Sequence, residues 1–192
     1  MKLLHLDSSI LGENSISRAL TASIVAHLRV GNPGLNTSYR DLAADPLSHI
    51  DLTAMPGDAG DAAVTSQVVL DQFLDADIVV IGAPMYNFTL PSQLKAWLDR
   101  ILIAGKTFRY GAHGPEGLAG GKRVILAVSR GNFYRAGAPS AGFEHLETYL
   151  RAVFGFIGIE PEVVVAEGVN AGPDHRGAAM TQADEAIAAL AV

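Results

Sequence analysis

The 192-residue sequence contains no cysteine, which excludes disulfides, thiolate nucleophiles and thiolate-bound zinc sites. Charged residues are also scarce, at 18% of the chain, and the acids outnumber the bases to give a net charge of -6. Such a chain lacks the positive field that attracts nucleic acids and anionic membranes. We therefore expect neither as a partner.

Long hydrophobic runs are missing as well. The most apolar stretch, Ile78 to Ala83, ends at Pro84 and is much shorter than the roughly 18 residues that a membrane helix needs. The first residues reach an acid at Asp7 and lack the apolar segment of a signal peptide. With 49% hydrophobic residues, residues 1–192 are expected to form one domain of a soluble, cytoplasmic protein.

Short apolar runs alternate with longer amphipathic stretches, a pattern typical of a parallel sheet with helices on both faces. The predicted strands are 2–6, 36–41, 77–82, 123–128 and 162–166. The predicted helices are 15–30, 62–74, 91–104, 143–156 and 173–190. The unbroken run 78–81 indicates a central strand, and the alternating run 36–41 an edge strand. Segments 44–60 and 105–121 are predicted loops, either functional or disordered.

The loop after the first strand is rich in hydroxyl groups. Ser8 and Ser9 end the strand, and Ser15 and Ser17 lie at the start of the predicted helix. Ligands of open α/β sheets bind beyond the carboxyl ends of the strands, and a helix N-terminus favours phosphate. An N-cap role for Ser15 is the alternative. Because neither G-x-G-x-x-G nor a P-loop pattern is present in this loop, a single terminal phosphate is the favoured ligand.

Two further strand ends carry features of a ring-binding site. Met85 to Phe88 lie between Pro84 and Pro91, and such a stiff loop offers apolar faces and backbone polar groups to a flat heteroaromatic ring. After the fourth strand, Gly131 permits close backbone approach, and Asn132 is suited to the polar edge of the same ring. The alternatives are core packing for the first loop and a surface salt bridge for Arg130.

These residues resemble the flavin-dependent NADH-azoreductases, a branch of the flavodoxin-like quinone reductases. The resemblance extends through most of the chain, in Ser8-Ser9-Ile10-Leu11, Ala83-Pro84-Met85-Tyr86-Asn87-Phe88, Thr107-Phe108-Arg109-Tyr110, Gly114-Pro115-Glu116-Gly117-Leu118, Ser129-Arg130-Gly131 and Gly155-Phe156-Ile157-Gly158-Ile159. It implies a flavodoxin-like three-layer α/β fold with strand order 2-1-3-4-5, FMN as the bound cofactor, and a homodimer with active sites at the subunit interface.

The resemblance also implies the residues of the site. The implied cofactor-binding residues are Ser9, Ser15, Ile16, Ser17, Met85, Tyr86, Asn87, Phe88, Ser129, Arg130, Gly131 and Asn132. The candidate substrate-pocket residues are Tyr110, His113, Phe133, Tyr134 and Phe156. No metal site is expected. The chain departs from the family at Ile16, where many members have Gln, and at Asn132 and Phe133, which replace Gly and a smaller residue.

The implied chemistry is ping-pong hydride transfer, in which NADH or NADPH reduces FMN and a quinone or azo compound then takes its place and is reduced. No catalytic side chain is required, because backbone N–H groups around Gly131 and Asn132 would stabilise the reduced flavin. Two other functions remain as alternatives. A flavodoxin-type electron carrier would bind FMN without nicotinamide-dependent activity. A phosphodiester hydrolase would need a metal or an activated nucleophile, and the sequence offers no ligand cluster for one.

Overall fold

The computed structural model describes residues 1–55 and 60–192. The strands are β1 (Lys2–Asp7), β2 (Asn36–Asp41), β3 (Ile78–Pro84), β4 (Phe108–Gly111), β5 (Gly114–Gly117), β6 (Arg123–Arg130) and β7 (Glu162–Glu167). The helices are α1 (Ile16–Gly31), α2 (Asp61–Asp75), α3 (Ser92–Ile101), α4 (Glu147–Phe156) and α5 (Pro173–Ala188). Among the described residues, no helix combines the length and apolarity needed to cross a membrane.

Five strands form a parallel sheet in the order β2-β1-β3-β6-β7, which is the predicted order 2-1-3-4-5. All seven residues of β3 are buried, because its apolar run lies between two other strands and beneath helices on both faces. The helices α2, α3 and α4 enclose one core, which includes Phe73, Trp97 and Phe154. Helices α1 and α5 enclose the other, which includes Leu20 and Ile187.

The prediction of an irregular loop over 105–121 is wrong. This segment contains an antiparallel hairpin of β4 and β5, in which Phe108 pairs with Gly117 and Gly111 with Gly114. The hairpin escapes a pattern search because its strands are four residues long and mostly exposed. Its only buried strand residue, Phe108, packs its ring 4.7 Å from the ring of Phe156.

The base of the hairpin lies at the amino edge of the main sheet. Ala119 donates its amide to the carbonyl of Ile157, the residue after α4, at 3.0 Å. Lys122 Nζ donates to the carbonyls of Leu74 and Ala76, just before β3. These contacts place the hairpin base at the opposite edge of the sheet from the carboxyl ends of β1, β3 and β6.

Two predicted helix ends also differ. Helix α3 ends at Ile101, and α4 begins at Glu147 instead of Phe143. Glu144 explains the later start, because its carboxylate accepts the amides of Leu146, Glu147 and Thr148 and so caps α4 from outside the helix. Within the predicted loop 44–60, a short 3-10 helix spans Leu52–Ala54; residues 56–59 of that loop lie outside the described residues.

Candidate functional site

The loop after β1 leads buried hydroxyl groups to the start of α1. Ser9, Ser15 and Ser17 are all buried, and the Ser15 and Ser17 Oγ atoms lie 3.1 Å apart. Ser8 is different, because its Oγ donates to the carbonyl of Gly82 at 2.6 Å. We conclude that Ser8 ties the loop to β3 and that the Ser15 and Ser17 hydroxyls line the start of the helix, while Ser9 Oγ contacts the Tyr86 hydroxyl and accepts the Leu11 amide.

The first turn of α1 leaves backbone donors free. Ser15 is the N-cap, and its Oγ accepts the Arg18 amide at 3.3 Å. The amides of Ile16 and Ser17 have no acceptor within the described residues, as expected for first-turn amides. Ser15 can therefore act as the N-cap and still belong to a ligand site, because the cap uses the Arg18 amide and leaves those of Ile16 and Ser17. These amides, with the positive end of the helix dipole, suit an anion.

The loop after β3 contains a tight turn. Tyr86 and Thr89 exchange two backbone hydrogen bonds, of 2.9 and 3.1 Å. Between them, Asn87 and Phe88 have φ values of 47° and 74°, in the left-handed region where asparagine is tolerated and a bulky residue is strained. Backbone strain of this kind concentrates at binding sites. The Tyr86 hydroxyl reaches back to Ser9 Oγ and to the Ile10 amide, both at 3.1 Å.

The side chain of Arg130, at the end of β6, is surrounded by carboxylates. Its guanidinium is almost fully buried and donates to Glu147 at 2.7 Å and Glu144 at 3.3 Å, with Glu167 at 3.9 Å. Through these carboxylates the side chain anchors the loop 131–146, and the predicted cofactor contact at Arg130 stays a prediction. The alternative of a surface salt bridge is wrong, because Arg130 is only 4% exposed.

The charge of Arg130 acts on the carboxylates around it. Burial acts to raise the pKa of Glu144, but hydrogen bonds from the Glu147 and Thr148 amides and the Thr148 hydroxyl, together with Arg130, outweigh it and lower that pKa. Burial likewise opposes the net lowering of the Glu167 pKa, which hydrogen bonds from Arg135 and the Tyr134 amide bring about. Both carboxylates are thus held ionised beneath the loop.

Gly131 and Asn132 present mainly backbone groups in the loop after β6. A Cβ on Gly131 would lie 2.8 Å from Asn170 Nδ2, so the Asn170 side chain, in the loop after β7, would have to shift to admit one. The Asn132 Oδ1 accepts the Phe133 amide at 2.8 Å. Ser129, the residue before Arg130, accepts the Met85 amide on its carbonyl at 2.8 Å, which ties the loops after β3 and β6 together.

Three aromatic rings lie at the rim of these loops. The ring of Phe88 is 5.1 Å from that of Phe143 and 6.4 Å from that of Tyr134. Phe88 and Phe143 are about half exposed, at 46% and 54%. The sequence predicts Phe88 and Tyr134 but not Phe143, which is assigned there to a helix start. The signal that it carries is the run of turn-forming residues just before it, Gly137, Pro139 and Gly142.

The remaining predicted pocket residues lie elsewhere. Phe133 packs on Gly168, where a Cβ would lie 2.5 Å from its ring, and is covered by Arg135 and His175. Tyr110, His113 and Phe156 belong to the hairpin and the end of α4, at the amino edge of the sheet. A single chain therefore does not bring these last three to the loops after β1, β3 and β6.

Those three loops do meet, because β1, β3 and β6 are neighbours in the sheet and run parallel. Their carboxyl ends form one edge, which carries the unpaired amides of Ile16 and Ser17 and the strained aromatic turn after β3. Within the described residues, no group of three or more His, Cys, Asp and Glu side chains is placed to hold a metal ion. The arrangement suits a ligand with a phosphate and a flat ring.

Comparison with known proteins identifies a matching family and similar relatives. The family described as "Flavodoxin-like fold" matches residues 1–191. The chain is 56% identical over 199 residues to "FMN-dependent NADH:quinone oxidoreductase 2" of Bradyrhizobium diazoefficiens, covering 99% of this chain and 98% of that protein. It is 57% identical over 205 residues to "FMN-dependent NADH:quinone oxidoreductase" of Xanthomonas campestris, covering 100% of both.

Solved structures include a similar chain at lower identity. The azoreductase from Bacillus anthracis superposes with a TM-score of 0.87 at 30% identity, and the alignment covers 97% of each chain. The match over nearly the whole sequence and the shared strand order lead to one conclusion. The chain belongs to the family of proteins with a flavodoxin-like fold.

Proposed function

We propose that this chain is an FMN-dependent NADH:quinone oxidoreductase that also reduces azo compounds. The observation that carries the proposal is the free pair of amides at the start of α1, together with the strained turn after β3, whose Tyr86 hydroxyl binds the loop that leads into α1. Relatives at 56–57% identity over essentially the whole chain carry the same name, which supports the same activity.

The residues present fit FMN. The amides of Ile16 and Ser17 have no acceptor among the described residues and adjoin the buried hydroxyls of Ser15 and Ser17, as a phosphate requires. Replacement of the family's Gln by Ile16 removes a side-chain donor but keeps the amide. Met85 to Phe88, and the backbone of Ser129 to Asn132, would hold the ring.

When bound, FMN supplies the two-electron chemistry between NADH and the acceptor. The chain binds and orients it: the first turn of α1 fixes the phosphate, and the tie between Met85 and Ser129 fixes the two ring loops relative to each other. Backbone N–H groups near Gly131 and Asn132 are rigid donors, because the loop is held from below by Arg130. Fixed donors of this kind favour developing negative charge without reorganisation.

The proposal includes a homodimer. Tyr110 is 76% exposed on the hairpin and lies at the amino edge, away from the strand-end loops of its own chain. A partner's hairpin would bring Tyr110 and Phe156 to the ring site and would cover exposed rim rings such as Phe143. A cytoplasmic location is also proposed, which fractionation of cells expressing the tagged chain would test.

Steady-state kinetics test the activity. With FMN-loaded protein, NADH and a benzoquinone are varied together. We expect parallel double-reciprocal lines, because both substrates need the same exposed ring face, and a rate that depends on added FMN in the apoprotein. Intersecting lines would contradict a shared site. Stoichiometric FMN binding without NADH-dependent turnover would identify an electron carrier instead.

A further inference from the structure

We propose that Arg18 is a positioning residue for the phosphate end of the site, because it fixes the peptide between Ser9 and Ile10. The inference rests on the proposed function and deepens it. It assigns a role to a side chain that neither the motifs nor the resemblance single out.

Arg18 holds one side of that peptide. Its Nε and Nη2 atoms both donate to the Ser9 carbonyl, at 3.3 and 2.7 Å. Because a trans peptide is planar, the Ile10 N–H of the same unit points the opposite way. It donates to the Tyr86 hydroxyl at 3.1 Å, and that hydroxyl also contacts Ser9 Oγ. The orientation of this one peptide therefore sets where the Ser9 hydroxyl lies, whereas Tyr86 is held by its own turn with Thr89.

Arg18 is itself fixed from the edge strand. Its Nη1 and Nη2 atoms bind the Asp41 carboxylate at 2.7 and 2.8 Å, the bidentate geometry that only arginine forms. Asp41 ends β2 and also accepts the amides of Ala43 and Ala44. The Tyr39 hydroxyl lies 3.1 Å from Nη1. The loop is thus braced against α1 and β2 together.

The action of Arg18 is geometric more than electrostatic. Its hydrogen bonds hold the pKa of Asp41 at about 2, and the pair raises the pKa of Arg18 above its usual range. Both groups stay ionised at neutral pH, and the Asp41 charge offsets that of Arg18. The guanidinium therefore supplies little net positive charge to a phosphate, which leaves the amides of Ile16 and Ser17 as the donors.

A comparison of FMN and riboflavin affinity distinguishes a role at the phosphate end from a general effect on stability. The two flavins share the ring and differ in the terminal phosphate, so a residue that shapes only the phosphate end changes FMN affinity and leaves riboflavin affinity unchanged. Arg40 is a matched control, because its side chain is 15% exposed against 17% for Arg18 and it binds Gln72 and Asp45 instead of the Ser9 loop.

The experiment measures the Kd of both flavins for the apoprotein by quenching of flavin fluorescence. Arg18→Met should raise the FMN Kd roughly 10- to 100-fold and leave the riboflavin Kd within about threefold of wild type. The FMN Kd of Arg18→Lys should lie between those of wild type and Arg18→Met, because an ammonium cannot bind Asp41 and the Ser9 carbonyl together as a guanidinium does. Arg40→Met should change neither Kd.

Parallel weakening of both flavins by Arg18→Met, or no effect on either, would overturn the inference. If Arg18→Met does not fold, Asp41→Asn removes the brace and keeps the arginine; an unchanged FMN-to-riboflavin ratio in that variant also overturns it. Loss of FMN in Ser17→Asp but not in Arg18→Met would refute the role of Arg18 alone. Equal wild-type affinity for FMN and riboflavin would refute the phosphate site as well.

Discussion

Substitution of Ser17 is the most direct test of the proposed phosphate site. The side chain of Ser17 is fully buried, its Oγ touches Ser15 Oγ, and the Ser17 amide is free. Ser17→Asp places a carboxylate where the phosphate is expected, and repulsion between the two anions should weaken FMN binding by roughly 100-fold or more. Ser17→Ala, which keeps the amide and adds no charge, should weaken it only about tenfold. Circular dichroism checks that both fold, and stoichiometric FMN in Ser17→Asp would remove the phosphate site from that turn.

Substitutions of Asn87 distinguish the role of its backbone conformation from the role of its side chain. The Asn87 φ of 47° is free for glycine and costs an ordinary L-residue about 1–2 kcal/mol. Asn87→Gly should therefore keep the free energy of unfolding, while Asn87→Val should lose about that amount. Asn87→Gly should also keep FMN bound but slow its reduction by NADH roughly tenfold, because we propose that the side-chain amide contacts the polar edge of the ring. Urea unfolding and stopped-flow absorbance measure the two effects, and an unchanged reduction rate would contradict the side-chain role.

At the scale of elements, the hairpin depends on a close approach at Gly117. A Cβ there would lie 2.2 Å from backbone atoms of Ile157 and Gly158, whereas one on Gly111 would lie 3.6 Å from its nearest neighbour. Gly117→Ala should cost about 1–3 kcal/mol and lower the Tm by roughly 5 °C, with loss of quinone reductase activity as the hairpin shifts. Gly111→Ala is the control and should change neither. Equal Tm values for the two variants would show that the hairpin does not need this approach.

The five strands of the main sheet are predictable to within about two residues, because four are apolar runs and the fifth, β2, alternates, and both are local patterns. The hairpin is not predictable, because each of its strands has only four residues, most of them exposed, and so shows no periodicity. The start of α4 was misplaced because its cap comes from Glu144, outside the helix. The partners of Arg130 are not predictable from the sequence either, because the loop after β6, α4 and β7 bring Glu144, Glu147 and Glu167 to it. The positions of Ser9 and Ser17 are predictable, because strand ends and helix starts are local features, and their role toward a ligand stays a prediction.

At the scale of the whole molecule, three carboxylates make the fold sensitive to acid. Asp41, Glu144 and Glu167 all have folded pKa values below their ordinary ones. A lowered folded pKa contributes stability that is present above the ordinary pKa and lost as the pH falls through the folded pKa. The unfolding free energy of the apoprotein should thus fall below about pH 4.5, the ordinary glutamate value. Asp41→Asn should flatten the part of that fall between pH 3.8 and about 2; an unchanged slope there would contradict the Arg18 pairing.

The dimer is tested by mixing two defective chains. Ser17→Asp impairs the strand-end loops, and Tyr110→Ala impairs the hairpin. If the hairpin acts on the partner's site, each mixed dimer contains one fully wild-type site, and an equal mixture should recover about a quarter of wild-type activity. Analytical ultracentrifugation should give twice the 20.1 kDa of one chain. Activity no greater than the sum of the two variants alone would place the hairpin's action within its own chain.

The central claim is that this chain holds FMN and uses it to pass electrons from NADH to a quinone. The most direct measurement is the visible absorption spectrum of the FMN-loaded protein under anaerobic conditions, before and after NADH and then after a benzoquinone. The account predicts a bound oxidised flavin spectrum that bleaches with NADH and returns with the quinone. A bound flavin that NADH fails to bleach, or a protein that binds no flavin, would contradict it.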